Sequence, residues 1–150
     1  MCKCNNKFRD DKLHHECGVL GIYGVDDAAG LAYYGLHALQ HRGQQGCGIV
    51  SVGPTGEFHR VKGDGLVSEV FNEQKMEKLP GRMAIGHVRY SNAGCKGTEN
   101  IQPFLFHHNS GDFAMANNGQ IVNYNQLRQE LEDKGSLFQS SSDAEVLAHL

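Results

Sequence analysis

No apolar run in this 150-residue chain approaches the ~20 residues that a membrane-spanning helix needs. The polar start, MCKCNNKFRDDKLHHE, also lacks the apolar stretch of a secretory signal. Basic charge is scarce: 14 Lys and Arg stand against 17 Asp and Glu, for a net charge of -3 and a pI near 6.3. That balance provides no cationic field for nucleic acid and no basic face for a membrane. Internal repeats, low-complexity tracts and a regular βαβ alternation are missing as well. The five cysteines, Cys2, Cys4, Cys17, Cys47 and Cys95, are odd in number and unevenly spaced. In a reducing compartment that pattern favours free thiols over a disulfide framework, and the missing span and signal lead us to expect a cytoplasmic protein.

What is present suits one globular domain, since 39% of the residues are apolar, enough to bury a core at this length. The 19 glycines fall where periodic segments end. VLGIYG reads as a short buried strand. From Asp27 to Gln40, apolar residues at Ala28, Leu31, Ala32, Leu36 and Leu39 have helical spacing, with Asp26 or Asp27 as the cap and Gly43 after the stop. GIVSVG and FHRVKG read as a hairpin around PTGE. Val67 to Leu79 reads as a helix ending at Pro80-Gly81. RMAIGHVRY and FAMAN read as strands, and NYNQLRQELEDKG as an amphipathic helix closed by Gly135. Ser142 and Glu145 form a capping box that predicts a helix starting near Asp143. With no stop signal before Leu150, the chain is expected to be truncated inside a domain.

The stretch LHHECGVLGIYG, Leu13 to Gly24, carries the chemistry. Cys17 follows a polar leader and precedes a strand. A small buried hydrophobe is one reading of such a cysteine. The other makes Met1 to Glu16 a propeptide, whose removal leaves Cys17 with a free α-amino group. An α-amine titrates near ~7.7 to 8, so it can take the thiol proton near neutral pH. A third reading is a retained leader binding metal through Cys2, Cys4, His14, His15 and Cys17, although Cys-x-Cys followed by His-His lacks the usual paired zinc spacing.

CGVLGIYG, ALQHRGQQ, KGDGLVSEVF, AIGHVRYSNAG, NIQPF, ANNGQIVNYNQLRQEL and SSSDAEV together resemble the class II glutamine amidotransferases, of the N-terminal-nucleophile hydrolase type, from Cys17 to Leu150. LQHRGQ with GHVRYS and QPF is most similar to the branch that uses phosphoribosyl pyrophosphate. The resemblance implies an α+β fold, a four-layer αββα sandwich, with residues 1–16 as propeptide and 17–150 as an incomplete amidotransferase domain. The phosphoribosyltransferase domain of such proteins is absent from this segment. It implies that Cys17 attacks the side-chain amide of glutamine to form a thioester. Asn118 and Gly119 would then be the oxyanion hole; as a lone dipeptide the pair reads as an Asn-Gly hairpin turn, and the same turn can serve both purposes. Arg89 would grip the α-carboxylate through its guanidinium, and Asp143 would hold the α-ammonium. Arg42 would lie near the nucleophile, where positive charge favours thiolate. Tyr90, Ser91 and Gln102 would line the glutamine pocket.

Three positions depart from the family pattern: Asn92 stands for a threonine, Asn117 for a histidine, and QGCGI follows QHRGQ where an acid and small residues are usual. Cys47 is expected to be a small packed residue and not a second nucleophile. No cofactor is expected in this segment. The resemblance places Mg2+, and in leader-bearing relatives a [4Fe-4S] cluster, in the part beyond residue 150. The expected partners are glutamine and, at the absent domain, phosphoribosyl pyrophosphate, with ammonia transfer giving phosphoribosylamine in purine synthesis, and a homo-oligomer at full length. Another class II amidotransferase, the metal-binding module and an inert fragment are the alternatives.

Overall fold

The computed structural model describes residues 17–90 and 97–150. The leader reading and the metal reading that uses it, together with Ser91, Asn92 and Cys95, lie outside the described residues.

Strands β1 (Gly18–Tyr23), β2 (Gly46–Val52), β3 (Phe58–Asp64) and β4 (Met83–Arg89) form an antiparallel sheet in the order β1-β4-β2-β3. The expected hairpin is β2 and β3, joined across a turn where Gly56 has φ 92°. Register fixes which side chains share a face. Gly18 pairs with Val88 and Val19 with His87, while Cys47 pairs with Val88 and Gly48 with His87.

One face is covered by helix α1 (Ala28–Ala38). Asp27 caps it, its Oδ1 accepting from the Gly30 amide at 3.0 Å, which satisfies one of the helix's orphan donors. Ala28, Ala32 and Leu36 pack with Cys47, Ile49 and Val88 in the main core. Full burial of a leucine such as Leu36 contributes about 1.5–3 kcal/mol. Beyond α1 a 3-10 turn, Gln40–Arg42, carries the chain to Gly43, so the predicted helix is two elements.

The helix expected from Val67 to Leu79 is also two, α2 (Val67–Val70) and α3 (Glu73–Met76). The apolar spacing runs through both, but Phe71 and Asn72 are extended, and the Asn72 side chain accepts from the Lys75 amide at 3.0 Å to start a new helix. A capping residue overrode the periodicity.

The other face of β2 carries Gly46 and Gly48, and the chain from Ile101 to Pro103 lies directly on it. A Cβ at Gly48 would stand 2.5 Å from the Gln102 carbonyl oxygen. That segment leads into β5 (Phe104–Phe106), which pairs antiparallel with β6 (Phe113–Met115). Helix α4 (Tyr124–Asp133) follows and stops at Gly135, φ 99°, in accord with the predicted glycine stop.

The last segment departs from expectation. A 3-10 turn, Asp143–Glu145, precedes α5 (Val146–His149). Ser142 caps the turn through the Ala144 amide, but buried Glu145 does not return to the cap. Its carboxylate accepts from the amides of Gln139 and Ser140, both at 2.7 Å, and from Ser140 Oγ at 2.5 Å. Two otherwise unpaired backbone donors outcompete the capping box.

Candidate functional site

Cys17 sits at the head of β1, beside the end of β4. Its Sγ accepts from the Tyr90 amide at 3.3 Å and lies 3.5 Å from the Tyr90 carbonyl, a contact across 73 residues of chain. Arg42 reaches back from the 3-10 turn, and its Nε donates to the Cys17 carbonyl at 3.2 Å. The thiol and backbone of Cys17 are thus oriented from two sides.

Two features hold Arg42 in place. Gly43 is pressed against β4, where a Cβ would stand 2.6 Å from the Arg89 carbonyl carbon and oxygen, so only glycine allows the turn to close there. Gln40 ties the turn to α2, its Oε1 accepting from the Val67 amide at 2.7 Å and its Nε2 donating to the Gly43 carbonyl at 2.5 Å. Sequence reasoning missed Gln40, although it lies within the quoted ALQHRGQQ.

Arg89 is buried at the end of β4, and its Nη1 donates to the Gly97 carbonyl at 3.5 Å. His87 shares its strand face and is wholly buried. Neither ring nitrogen of His87 has a hydrogen-bond partner among the described residues. Burial pushes this imidazole down to about 4; the Asn117 backbone, near the ring but outside ordinary hydrogen-bond geometry, pulls the other way, and Arg89 adds to the depression. It is therefore neutral near pH 7.

A second group surrounds the Asn118-Gly119 pair. Buried Gln102 accepts from the Asn117 amide through Oε1 at 2.6 Å. Asp143 accepts from the Ile121 amide through Oδ2 at 2.7 Å. The pair itself is exposed, and no hydrogen bond joins it to Cys17 among the described residues. It is not an Asn-Gly hairpin turn. Asp27 is the one described non-glycine residue with positive φ, whereas a type I′ turn would need positive φ at Asn118.

Asn100 was not singled out in the sequence, although it begins the quoted NIQPF. It is buried, and its Oδ1 accepts from the Ser141 amide at 3.0 Å and from Ser141 Oγ at 3.2 Å. Asn100 closes a 3-10 turn, Thr98–Asn100, just before the extended Ile101, so no strand alternation marks it in the sequence.

Cys47 is fully buried, and burial raises its thiol to about 12. It is a packed core residue, as expected. Among the described residues no group of three or more His, Cys, Asp or Glu is placed to hold a metal ion.

A family model described as a glutamine amidotransferase domain matches residues 73–150. The chain belongs to this glutamine amidotransferase family. The amidotransferase chain is 53% identical over 146 residues to amidophosphoribosyltransferase 1, chloroplastic, of Arabidopsis thaliana, a match covering 97% of this chain and 26% of that protein. It is 55% identical over 140 residues to the amidophosphoribosyltransferase of Bacillus subtilis strain 168, covering 92% and 29%. The amidotransferase fold also matches two solved structures. One is described as the allosteric regulatory enzyme of purine biosynthesis, with a TM-score of 0.84, 53% identity and coverage of 88% of this chain and 28% of that one. The other is the B. subtilis glutamine phosphoribosylpyrophosphate amidotransferase complexed with ADP and GMP, with a TM-score of 0.81, 52% identity and coverage of 88% and 28%.

The chain thus spans little more than a quarter of the length of these curated relatives. The amidotransferase has the fold class expected from the sequence, the αββα N-terminal-nucleophile hydrolase type, and the relatives named above carry the name of the expected branch of the family.

Proposed function

We propose that this chain is the glutaminase part of an amidophosphoribosyltransferase, with Cys17 as an N-terminal nucleophile. The observation that carries the reading is the convergence on Cys17 of Tyr90 from the end of β4 and Arg42 from the turn after α1. A merely packed cysteine has no need of a backbone donor at its sulfur and a guanidinium at its carbonyl.

In this reading cleavage after Glu16 frees the α-amine of Cys17, which takes the thiol proton. The sulfur attacks the side-chain carbonyl carbon of glutamine. Negative charge develops on the carbonyl oxygen, which Asn118 and the Gly119 amide stabilise. The tetrahedral species collapses with transfer of the proton to the leaving nitrogen, releasing ammonia and leaving a γ-glutamyl thioester. Water then attacks the thioester, giving glutamate and restoring the thiol. Arg89 and Asp143 hold the α-carboxylate and α-ammonium, and Tyr90, Ser91 and Gln102 line the pocket.

The ammonia is passed to phosphoribosyl pyrophosphate, where it displaces pyrophosphate to give phosphoribosylamine, at a site outside this chain. The similarity to amidophosphoribosyltransferases supports that acceptor and a place in purine synthesis. Mg2+ and a [4Fe-4S] cluster belong, in this reading, to parts beyond residue 150. No step above uses either group. A cytoplasmic, homo-oligomeric enzyme completes the proposal.

The test uses the full-length gene product. Intact mass and N-terminal sequencing are expected to show a mature chain beginning at Cys17. Cys17→Ala is expected to abolish ammonia release from glutamine, while the fold, followed by circular dichroism, persists. A mature enzyme still beginning at Met1, or an active Cys17→Ala variant, would overturn the mechanism.

A further inference from the structure

The segment from Gly97 to Gln102 meets each part of the site assigned to the glutamine head and to the oxyanion. Its first carbonyl, at Gly97, accepts from Arg89. Three residues on, at the end of a 3-10 turn (Thr98–Asn100), the side chain of Asn100 takes both the amide and the hydroxyl of Ser141. Ser141 lies two residues before Asp143. Gln102 takes the amide of Asn117, one residue before Asn118. Between them, the Ile101 carbonyl accepts from Lys62 Nζ at 3.0 Å, which fastens the segment to β3.

We propose that this segment is a positioning strut, in which Asn100 sets the α-ammonium carboxylate through Ser141 and Gln102 sets the oxyanion loop through Asn117. The inference rests on the glutaminase reading above and deepens it. Neither Asn100 nor Gln102 need touch the reacting atoms. Both are buried, and the carbonyl oxygen of each is committed to another loop.

The arrangement separates two kinds of energy. The Asp143 grip acts on bound glutamine in ground state and transition state alike, so loosening it raises KM. The oxyanion donors act on charge that develops only in the transition state, so loosening them lowers kcat. Asp143 joins the two loops, because its Oδ2 accepts from Ile121 just beyond the Asn118-Gly119 pair. Its other oxygen is then the one for the ammonium.

The backing of the strut is equally specific. Gly48 allows Gln102 to lie on β2 without an intervening side chain, since a Cβ there would meet the Gln102 carbonyl oxygen and Pro103 Cδ. Displacement of the strut toward β2 is blocked by the sheet backbone itself.

The experiment is steady-state glutamine hydrolysis by the full-length mature enzyme and four variants, with thermal unfolding as a control for folding. Asn100→Ala is expected to raise the KM for glutamine about tenfold with kcat nearly unchanged. Gln102→Ala is expected to lower kcat about tenfold or more with a smaller change in KM. Asn100→Asp and Gln102→Glu keep the acceptor oxygens and are expected to recover most of each loss. If the alanine variants do not fold, the same split read from the two conservative variants decides the matter, in smaller amplitude. An active parent whose variants change kcat and KM in the same proportion, or which show no split, would overturn the strut alone. A folded parent with no glutaminase activity would overturn the proposed function, and the strut with it.

Discussion

At the scale of single residues, two cysteines of one chain have opposite settings. Cys17 is partly exposed and held by the Tyr90 amide. Cys47 is buried near the start of β2, its thiol raised to about 12 chiefly by burial, with Lys75 pulling it down and Glu69 pushing it up. Thiolate is the reactive form, so the two should differ in labelling. With iodoacetamide near neutral pH, Cys17 of the native mature protein is expected to alkylate first, and Cys47 only after denaturation, as read by peptide mass mapping. Alkylation of Cys47 in the folded protein at the rate of Cys17 would contradict the packing described. The sequence placed Cys47 correctly because a thiol between small residues within an apolar strand has few alternatives. It did not reveal Asn100, because a buried amide has no periodic signature until its partner, Ser141, arrives from 41 residues away.

At the scale of elements, local signals worked where one residue decides a boundary. Asp27 starts α1, and Gly135 follows α4, as their chemistry requires. They failed where a distant or competing partner intervened. Asn72 split the expected helix after Val70 because its side chain captured the Lys75 amide. Glu145 abandoned the capping box because the loop at Gln139 and Ser140 offers it three donors. This second case predicts a large effect. Glu145→Ala leaves two backbone N-H groups without their acceptor in a buried turn and is expected to cost about 3 kcal/mol or more. Urea unfolding of the variant checks it. A loss below about 0.5 kcal/mol, the range of ordinary surface changes, would show that water or another group replaces the carboxylate.

At the scale of the whole molecule, the face of the main sheet turned away from α1 carries a neutral imidazole. His87 has its side chain wholly buried, and its proton affinity falls to about 4 from an ordinary 6.5. Between those values the unfolded chain takes up a proton that the folded chain refuses. Stability therefore falls as pH drops from 6.5 toward 4 and rises as pH increases through the same window. The expected contribution is roughly 3 kcal/mol across it. Unfolding measured at about pH 7 and about pH 5 should show a smaller acid loss for His87→Phe than for the parent, since only the parent has this group to protonate. Equal losses would mean that His87 is protonated in the fold without penalty. Because His87 lies on the central strand β4, between β1 and β2, the effect is expected to be cooperative loss of the fold.

The sequence by itself determined the family, the fold class and the identity of the residues proposed to act. Motifs such as QHRGQ, GHVRYS and NIQPF are contiguous, and their resemblance needs no geometry. It also determined the elements whose ends depend on one capping side chain or one glycine. Tertiary structure alone decided how the site is held: Tyr90 serves Cys17 through its backbone, Arg42 binds a carbonyl, and Asn100 and Gln102 fasten two separate loops. The physical reason is that backbone donors are the same in every residue, so the partner of a buried amide or carboxylate is set by which loop the fold brings within hydrogen-bond reach.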